Sequence, residues 1–515
     1  MMDPHLKRWE RRQKQRELLA ERKKQGKGYP KTFTLPNRKS SLKTVDEEKA
    51  SLTRDTEEIL EVYSQLLRKL LPKLARIPDP RNPRKVKHRI TLLMLYGIFM
   101  FAFHLTSRRE ANREMTTPQF LENLKALFPE LVEMPHQDTL CRLLQAVDVG
   151  RIETAYLELL KKLIRNKTFG KLLPQKRYLV AVDGTQKHVV SEGWDDRYLR
   201  RRIPGQDGEY QYYAYVLEAV LILSNGMVLP LLSEFLENTP ELEAILPDET
   251  WKQDCELKAF HRLAKRLKRE FPKLPLTLIL DGLYANGPVM RSCLKNKWHF
   301  MIVLKDKSLP TVWEEVRGLL RLDTEGEYRH EREWQGRNQV FRWANDIEYS
   351  YGAGSRAKTI GVHLVTCEEA WDALDASGAI VEKTGYHAWL SSHPITRKNV
   401  HGLCNLTARK RWLHENNILK EKHHGYSYEH IFSHHWDAMR GYHYLMHIAR
   451  LLNELALHSV SLEEQVKAVG IRFFIRKLRE VLAHRELDAM RLRRLTESPG
   501  QLRLVPEESW RRFVA

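Results

Sequence analysis

RYLVAVDGT, residues 177–185, and TLILDGLYANG, residues 277–287, are the stretches on which the fold turns, for in each an unbroken apolar run is followed at once by Asp-Gly. A short apolar run rich in β-branched residues and bounded by turn residues reads as a strand buried on both faces. In this reading Asp183 and Asp281 each end their strand, and Gly184-Thr185 forms the turn after the first. An ionised carboxylate in that setting is costly unless it leaves the core or finds a partner. In α/β sheets, strand ends are also where sites are built. Asp-Gly is a common turn pair, so either aspartate alone reads as a turn residue. Two such strands in one small sheet point to a shared site.

Working outward, YAYVLEAVLILSNGMVLPLLSEFLE (213–237) reads as two strands joined at Asn225-Gly226, a strong hairpin signal. WKQDCELKAFHRLAKRLKREF (251–271) has helical spacing and is closed by Pro272. PVMRSCLKNK (288–297) continues as a helix and HFMIVLKD (299–306) as a further strand. The order strand, hairpin, helix, strand, helix, strand describes an α/β core with a mixed sheet. Residues 323–398 carry aromatic and β-branched residues between Gly and Ser turns, which predicts a small β-rich insertion. Helical patterns return after it and run into a basic C-terminal region.

The chain has 515 residues, 86 Lys and Arg against 66 Asp and Glu, and a net charge of +20. Such a field points to a polyanionic partner, with nucleic acid first. From Met1 to Thr44 there are 14 basic residues against four acidic ones, which reads as a basic arm able to lie along phosphates. The five cysteines form no C-x-x-C pair, so neither a disulfide framework nor a zinc finger is expected, and a reducing cytoplasm fits. ITLLMLYGIFMFAFHL (90–105) is apolar but, at 16 residues, too short to span a bilayer. It reads as a buried core helix. QDTLCRLLQAVD (137–148) has the pattern of a packing helix, with a DNA-binding helix-turn-helix as the sharper alternative.

A third carboxylate lies in RKRWLHENNILKEKHHGYSYEH (409–430). On a helix, Glu415 falls about 40° from Arg411 and Lys422 about 20° from it, so all three project from one face. A solvated helix also favours Arg and Glu four apart. Taken with Asp183 and Asp281, the arrangement suggests three carboxylates holding divalent metal and two cations holding the phosphates beside it. Hard Mg²⁺ or Mn²⁺ prefers carboxylate oxygen and substrate phosphate. A pair of such ions serves in-line displacement at phosphorus.

These residues resemble the DDE transposases of bacterial insertion sequences, in particular the group marked by a Tyr-Arg-Glu-Lys signature spaced Y-x2-R-x3-E-x6-K. Arg411, Glu415 and Lys422 fit the last three members, while Ala408 stands where the aromatic is expected. Asp183-Gly184-Thr185 and Asp281-Gly282-x-Tyr284 also look like the family's two aspartate segments. The resemblance, over roughly 175–450, implies an RNase H-like mixed five-stranded sheet with flanking helices, interrupted by the insertion. It implies Asp183, Asp281 and Glu415 as catalytic and metal-binding residues for Mg²⁺ or Mn²⁺, in two ions. Arg411, Lys422, Thr185 and Tyr284 would contact DNA. It further implies double-stranded DNA partners, the terminal inverted repeats and a target, a homodimer in a synaptic complex, and a bacterial cytoplasmic, nucleoid-associated protein with no membrane segment. The expected division is a basic arm at 1–52, a helical DNA-binding domain at 53–174, a catalytic core at 175–322 and 399–458 split by the insertion at 323–398, and a basic helical region at 459–515.

Two alternatives stand beside this reading: a metal-dependent nuclease that cuts without joining, and a DNA-binding derivative that has lost its chemistry. Eleven of the 22 histidines fall between His387 and His447, and His423, His424, His430, His434 and His435 offer a zinc alternative. They match no structural zinc spacing and read better as lying near phosphate or the carboxylates. Trp298, Trp334, Trp343 and Trp389 are candidates for stacking on a flipped base, and each reads first as core.

Overall fold

The computed structural model describes residues 40–129, 131–205, 208–238, 254–374, 380–423, 425–497 and 502–506, with isolated positions among the first 24. Most of the expected basic arm, His424 and the end of the C-terminal region lie outside the described residues. The first helices are α1 (Val45–Leu74), α2 (Ile90–Ala102), α3 (Arg108–Met115), α4 (Pro118–Leu127), α5 (Gln137–Ala146) and α6 (Gly150–Arg165). Thr44 and Glu47 close a capping box at the start of α1, each side chain accepting the other's backbone N–H. The apolar run at 90–105 forms α2, a core helix as its length implied, and among the described residues no helix is long and apolar enough to cross a membrane.

The mixed α/β part follows with β1 (Tyr178–Val190), β2 (Leu199–Arg202), β3 (Tyr210–Ile222), β4 (Val228–Leu236), α7 (Glu256–Glu270), β5 (Leu276–Leu280), α8 (Gly287–Lys295) and β6 (His299–Val303). Then come α9 (Pro310–Leu322), β7 (Arg329–Trp334), β8 (Arg337–Tyr351), β9 (Lys358–Leu374), β10 (Ile380–Ser391), α10 (Val400–Cys404), α11 (Arg411–His423) and α12 (Trp436–Leu457). Three helices, α13 (Glu463–Val469), α14 (Ile471–His484) and α15 (Ala489–Glu497), complete the C-terminal region.

All ten strands join one mixed sheet in the order β2-β3-β1-β5-β6-β10-β9-β8-β7, with β4 also on β3. β1 is antiparallel to β3 and parallel to β5, and β5 is parallel to β6, so the strand, hairpin, strand, strand core appears as expected. The hairpin turns at Gly226, whose φ of +86° suits glycine. Both faces of β1 are covered: Val180 and Val182 belong to the main core, and Leu179 and Ala181 to a second core with the 341–408 segment. That is why the sequence there is apolar without alternation.

Two expectations change. β1 does not stop at Asp183 but runs on through Gly184 and Thr185 to Val190, because β3 pairs with it along nearly its full length. Gly-Thr is therefore strand, and Asp183 lies mid-strand. The β-rich insertion is also continuous with the main sheet: Trp389, Leu390 and Ser391 of β10 pair with Val303, Ile302 and Met301 of β6.

α12 is the axis of the helical part, buried along almost its whole length. Asn453 on it accepts from the buried Tyr63 hydroxyl and donates to the Ala102 carbonyl at 3.1 Å, tying α1, α2 and α12 together. At Gly97 the helices approach so closely that an added Cβ would sit 2.6 Å from Leu445 Cδ1 and 2.8 Å from Leu140 Cδ2. Gly97→Val should therefore destabilise the protein by about 1–3 kcal/mol through overpacking, read as a lower urea midpoint. An unchanged midpoint would show that α2 and α12 can separate without cost.

Candidate active site

Asp183, Asp281 and Arg411 are brought together by strand register and one helix. The parallel β1/β5 pairing ends at Ala181 with Ile279, and the same register carried two residues further sets Asp183 level with Asp281. Neighbouring strands lie about 4.8 Å apart. Asp281 caps the short turn Gly282–Tyr284, its Oδ1 accepting from the Leu283 N–H at 2.9 Å. Arg411, the first residue of α11, sends Nη1 to 2.6 Å from Glu415 Oε1 and 3.8 Å from Asp183 Oδ2. The guanidinium is only 11% exposed, so this double contact is screened far less than a surface pair.

Asp183 shows what the arrangement costs. Its carboxyl is raised to about 6: burial pushes it up most, Arg411 pulls against that, and the charges of Asp281 and then Glu256 add to the rise. The donors are hard carboxylate oxygens, and Asp183 is desolvated and repelled by its acidic neighbours, which is the environment a divalent cation relieves. The donors thus fit Mg²⁺ or Mn²⁺. They are not drawn together into a finished cage, however. Among the described residues the one group whose ligand atoms all lie within 4.8 Å of one another is Glu218, His443 and His447. Asp183, Asp281 and Glu415 stand further apart, with Arg411 bridging two of them.

The remaining expected residues divide. Lys422 is on α11 but pairs with Glu429 at 2.8 Å. Thr185 is buried, and Tyr284 is fully buried with its hydroxyl donating to Glu256 Oε2 at 3.2 Å. Neither is placed to meet DNA at the surface, and Tyr284 reaches the site through Glu256. Trp298, Trp343 and Trp389 are core, as first read, while Trp334 is half-buried with Arg409 over its ring. Of the histidines offered for zinc, His434 lies 3.7 Å centre to centre on Trp194 and His430 packs on Phe432. None of His423, His430, His434 and His435 enters a metal-competent group.

Three residues near the site had no clear signal in the sequence. Glu256, the first residue of α7, accepts from Tyr215 at 2.5 Å and from Tyr284, and its charge reaches Asp183. Lys305, just past β6, runs its side chain over Gly282, where an added Cβ would meet Lys305 Cε at 3.0 Å. Trp412 is 56% exposed beside Arg411, whose Cζ is 5.0 Å from its ring centre. Only the helical phase at 409–423 could have singled it out.

Residues 71–160 match the model of the DDE_Tnp_1-associated family. The matched span runs from the end of α1 into α6, outside the sheet that carries the carboxylates. It points to a DDE-type transposase family. No curated protein matches the chain.

The raised Asp183 carboxyl has a definite sign. Between its unfolded value of 3.8 and about 6 the folded state holds the extra proton, so stability falls as pH rises through that window. Asp183→Asn should be more stable than the parent at pH 7.5 without divalent metal, by on the order of 1–3 kcal/mol, and the difference should close near pH 4. Thermal unfolding of both proteins across pH 4–8 checks this; a variant less stable than the parent at pH 7.5 would contradict it.

Proposed function

We propose that the protein is a DNA transposase with an RNase H-like catalytic core. It binds the ends of its element, cuts them by divalent-metal-dependent hydrolysis and joins the 3′-hydroxyl ends to target DNA. The observation that carries this is the double contact of Arg411, which links Glu415 of α11 to Asp183 of the central strand beside Asp281. The family match over residues 71–160 supports the same class. The RNase H-like reading rests on the order and direction of β3, β1, β5 and β6, with the carboxylates on adjacent strands.

In this reading Asp183, Asp281 and Glu415 hold Mg²⁺ or Mn²⁺, which supplies charge neutralisation at phosphorus and a more acidic attacking hydroxyl. Arg411 orients Glu415 and, with Lys305 at the edge of the Asp281 turn, offsets phosphate charge. Glu256, with Tyr215 and Tyr284 donating to it, sets the field behind Asp183. Ala408 is buried and offers no ring, so the exposed Trp412 takes the stacking position beside the strand to be cut. The net charge of +20 supplies the long-range attraction to DNA.

Cleavage of duplex DNA carrying the element ends, with Mg²⁺, tests the proposal. Asp183→Asn and Glu415→Gln should each lose at least about 10²-fold in cleavage rate. Trp412→Ala should lose far less on cleavage than on placement of the cut. Full activity in either carboxylate variant would overturn the reading. Strand-transfer products from pre-cut 3′-hydroxyl ends separate a transposase from a nuclease on the same fold.

A further inference from the structure

Behind the carboxylates lies a polar cluster buried in the core, made by β3, α11, the segment after it and α12. Glu218 is the cross-strand partner of Asp183 in the antiparallel β1/β3 register, so the two side chains leave the same face of the sheet. Glu218 is fully buried, His443 is 1% exposed and His447 is 4% exposed. His443 and His447 are four apart on α12, one turn of one helix face. Their Nε2 atoms lie 3.7 and 3.6 Å from Glu218 Oε1.

Those separations are too long for hydrogen bonds and too short for groups with nothing to share. Glu218 Oε2 and His447 Nε2 have no hydrogen-bond partner, a costly state for atoms in a protein interior. Two ligands about 2.0–2.1 Å from a zinc ion at the tetrahedral angle stand about 3.3–3.4 Å apart, close to the spacing found. Oxygen for a fourth position is at hand: the Tyr428 hydroxyl donates to Glu218 Oε1 at 2.7 Å, and Ser233 Oγ lies 2.9 Å from His443 Nε2.

We propose that Glu218, His443 and His447 form a structural binding site for a tetrahedral divalent transition-metal ion of the zinc type. It clamps β3, the strand opposite Asp183, to the central helix α12. It is separate from the hard-oxygen site of Asp183, Asp281 and Glu415, since imidazole nitrogen selects zinc over magnesium. The other charged groups facing the cluster are Lys187, Arg450 and Glu421. Glu421 is paired with Arg450. The buried Lys187 has its Nζ 3.5 Å from His443 Nδ1 and donates to the Tyr428 carbonyl at 3.2 Å.

The test is metal content and cobalt spectroscopy on the full-length protein. Protein expressed with zinc and desalted should carry about one zinc per chain. The Asp183→Asn and Glu415→Gln variants should keep it, which separates this site from the proposed catalytic one. His447→Ala and Glu218→Gln should lose it. Because those variants could fold poorly, chelator-stripped parent protein is titrated with Co²⁺. Tetrahedral d–d absorption saturating at one equivalent, with a thermal midpoint raised by a few degrees on adding Zn²⁺, is the expected result. A zinc-free parent protein that shows neither d–d bands nor a shift in midpoint would overturn the proposal, as would zinc content unchanged in folded His447→Ala.

Discussion

Arg411 carries the constraint on which the rest depends. A carboxylate in the middle of a strand buried on both faces has to be offset, and the charges that act most on Asp183 besides Arg411 are the acidic Asp281 and Glu256. One guanidinium, itself mostly buried, answers that need and at the same time fixes Glu415 one turn further along its helix. Placing Arg411 at the first position of α11 requires the chain to return from β10 through α10 to the second core, where Leu403, Cys404 and Ala408 pack on Leu179 and Ala181 of β1. The ion pairing at the site and the apolar packing beside it therefore specify the same geometry.

The interior behind the site is unusually rich in ionisable groups. Lys187, Glu218, His414, Glu421, His443, His447 and Arg450 are all buried. Breaking a buried pair by removing one partner typically costs more than the pair contributes, because the other charge is left stranded. Glu421 with Arg450, and Asn417 bonded to both, hold the inner face of α11 while Arg411 and Glu415 work on its outer face. One short helix thus answers to two polar networks, and neither can shift without disturbing the other.

Much of this was legible in the residues. The apolar runs of β1, β5 and β6, the Asn-Gly hairpin and the helix closed by Pro272 all carry local signals strong enough to survive packing. The carboxylates were legible because charge following an apolar run is conspicuous. Asp183 was misplaced at a strand end because Asp-Gly-Thr has turn chemistry, and only the long partner β3 overrides it. The junction of the insertion with the sheet was hidden because just three residue pairs make it. Glu256 had no signal at all, being one acidic residue at a helix start, a position acidic residues favour on any helix. The histidines at 423–435 are crowded in sequence, whereas the pair that the fold brings against Glu218 is the turn-apart His443 and His447.

That β1 continues through and past Asp183 has a mechanical consequence. Asp183 is anchored through its main chain, because β3 pairs with β1 on both sides of it in sequence, from Leu179 to Val190. Asp281 and Glu415 stand outside the sheet, one capping a short turn and the other on a helix of 13 residues. Any change that draws the three oxygens together is therefore expressed as travel of α11 and the Asp281 turn toward the sheet, and it has to carry the Arg411–Glu415 and Arg450–Glu421 ion pairs with it.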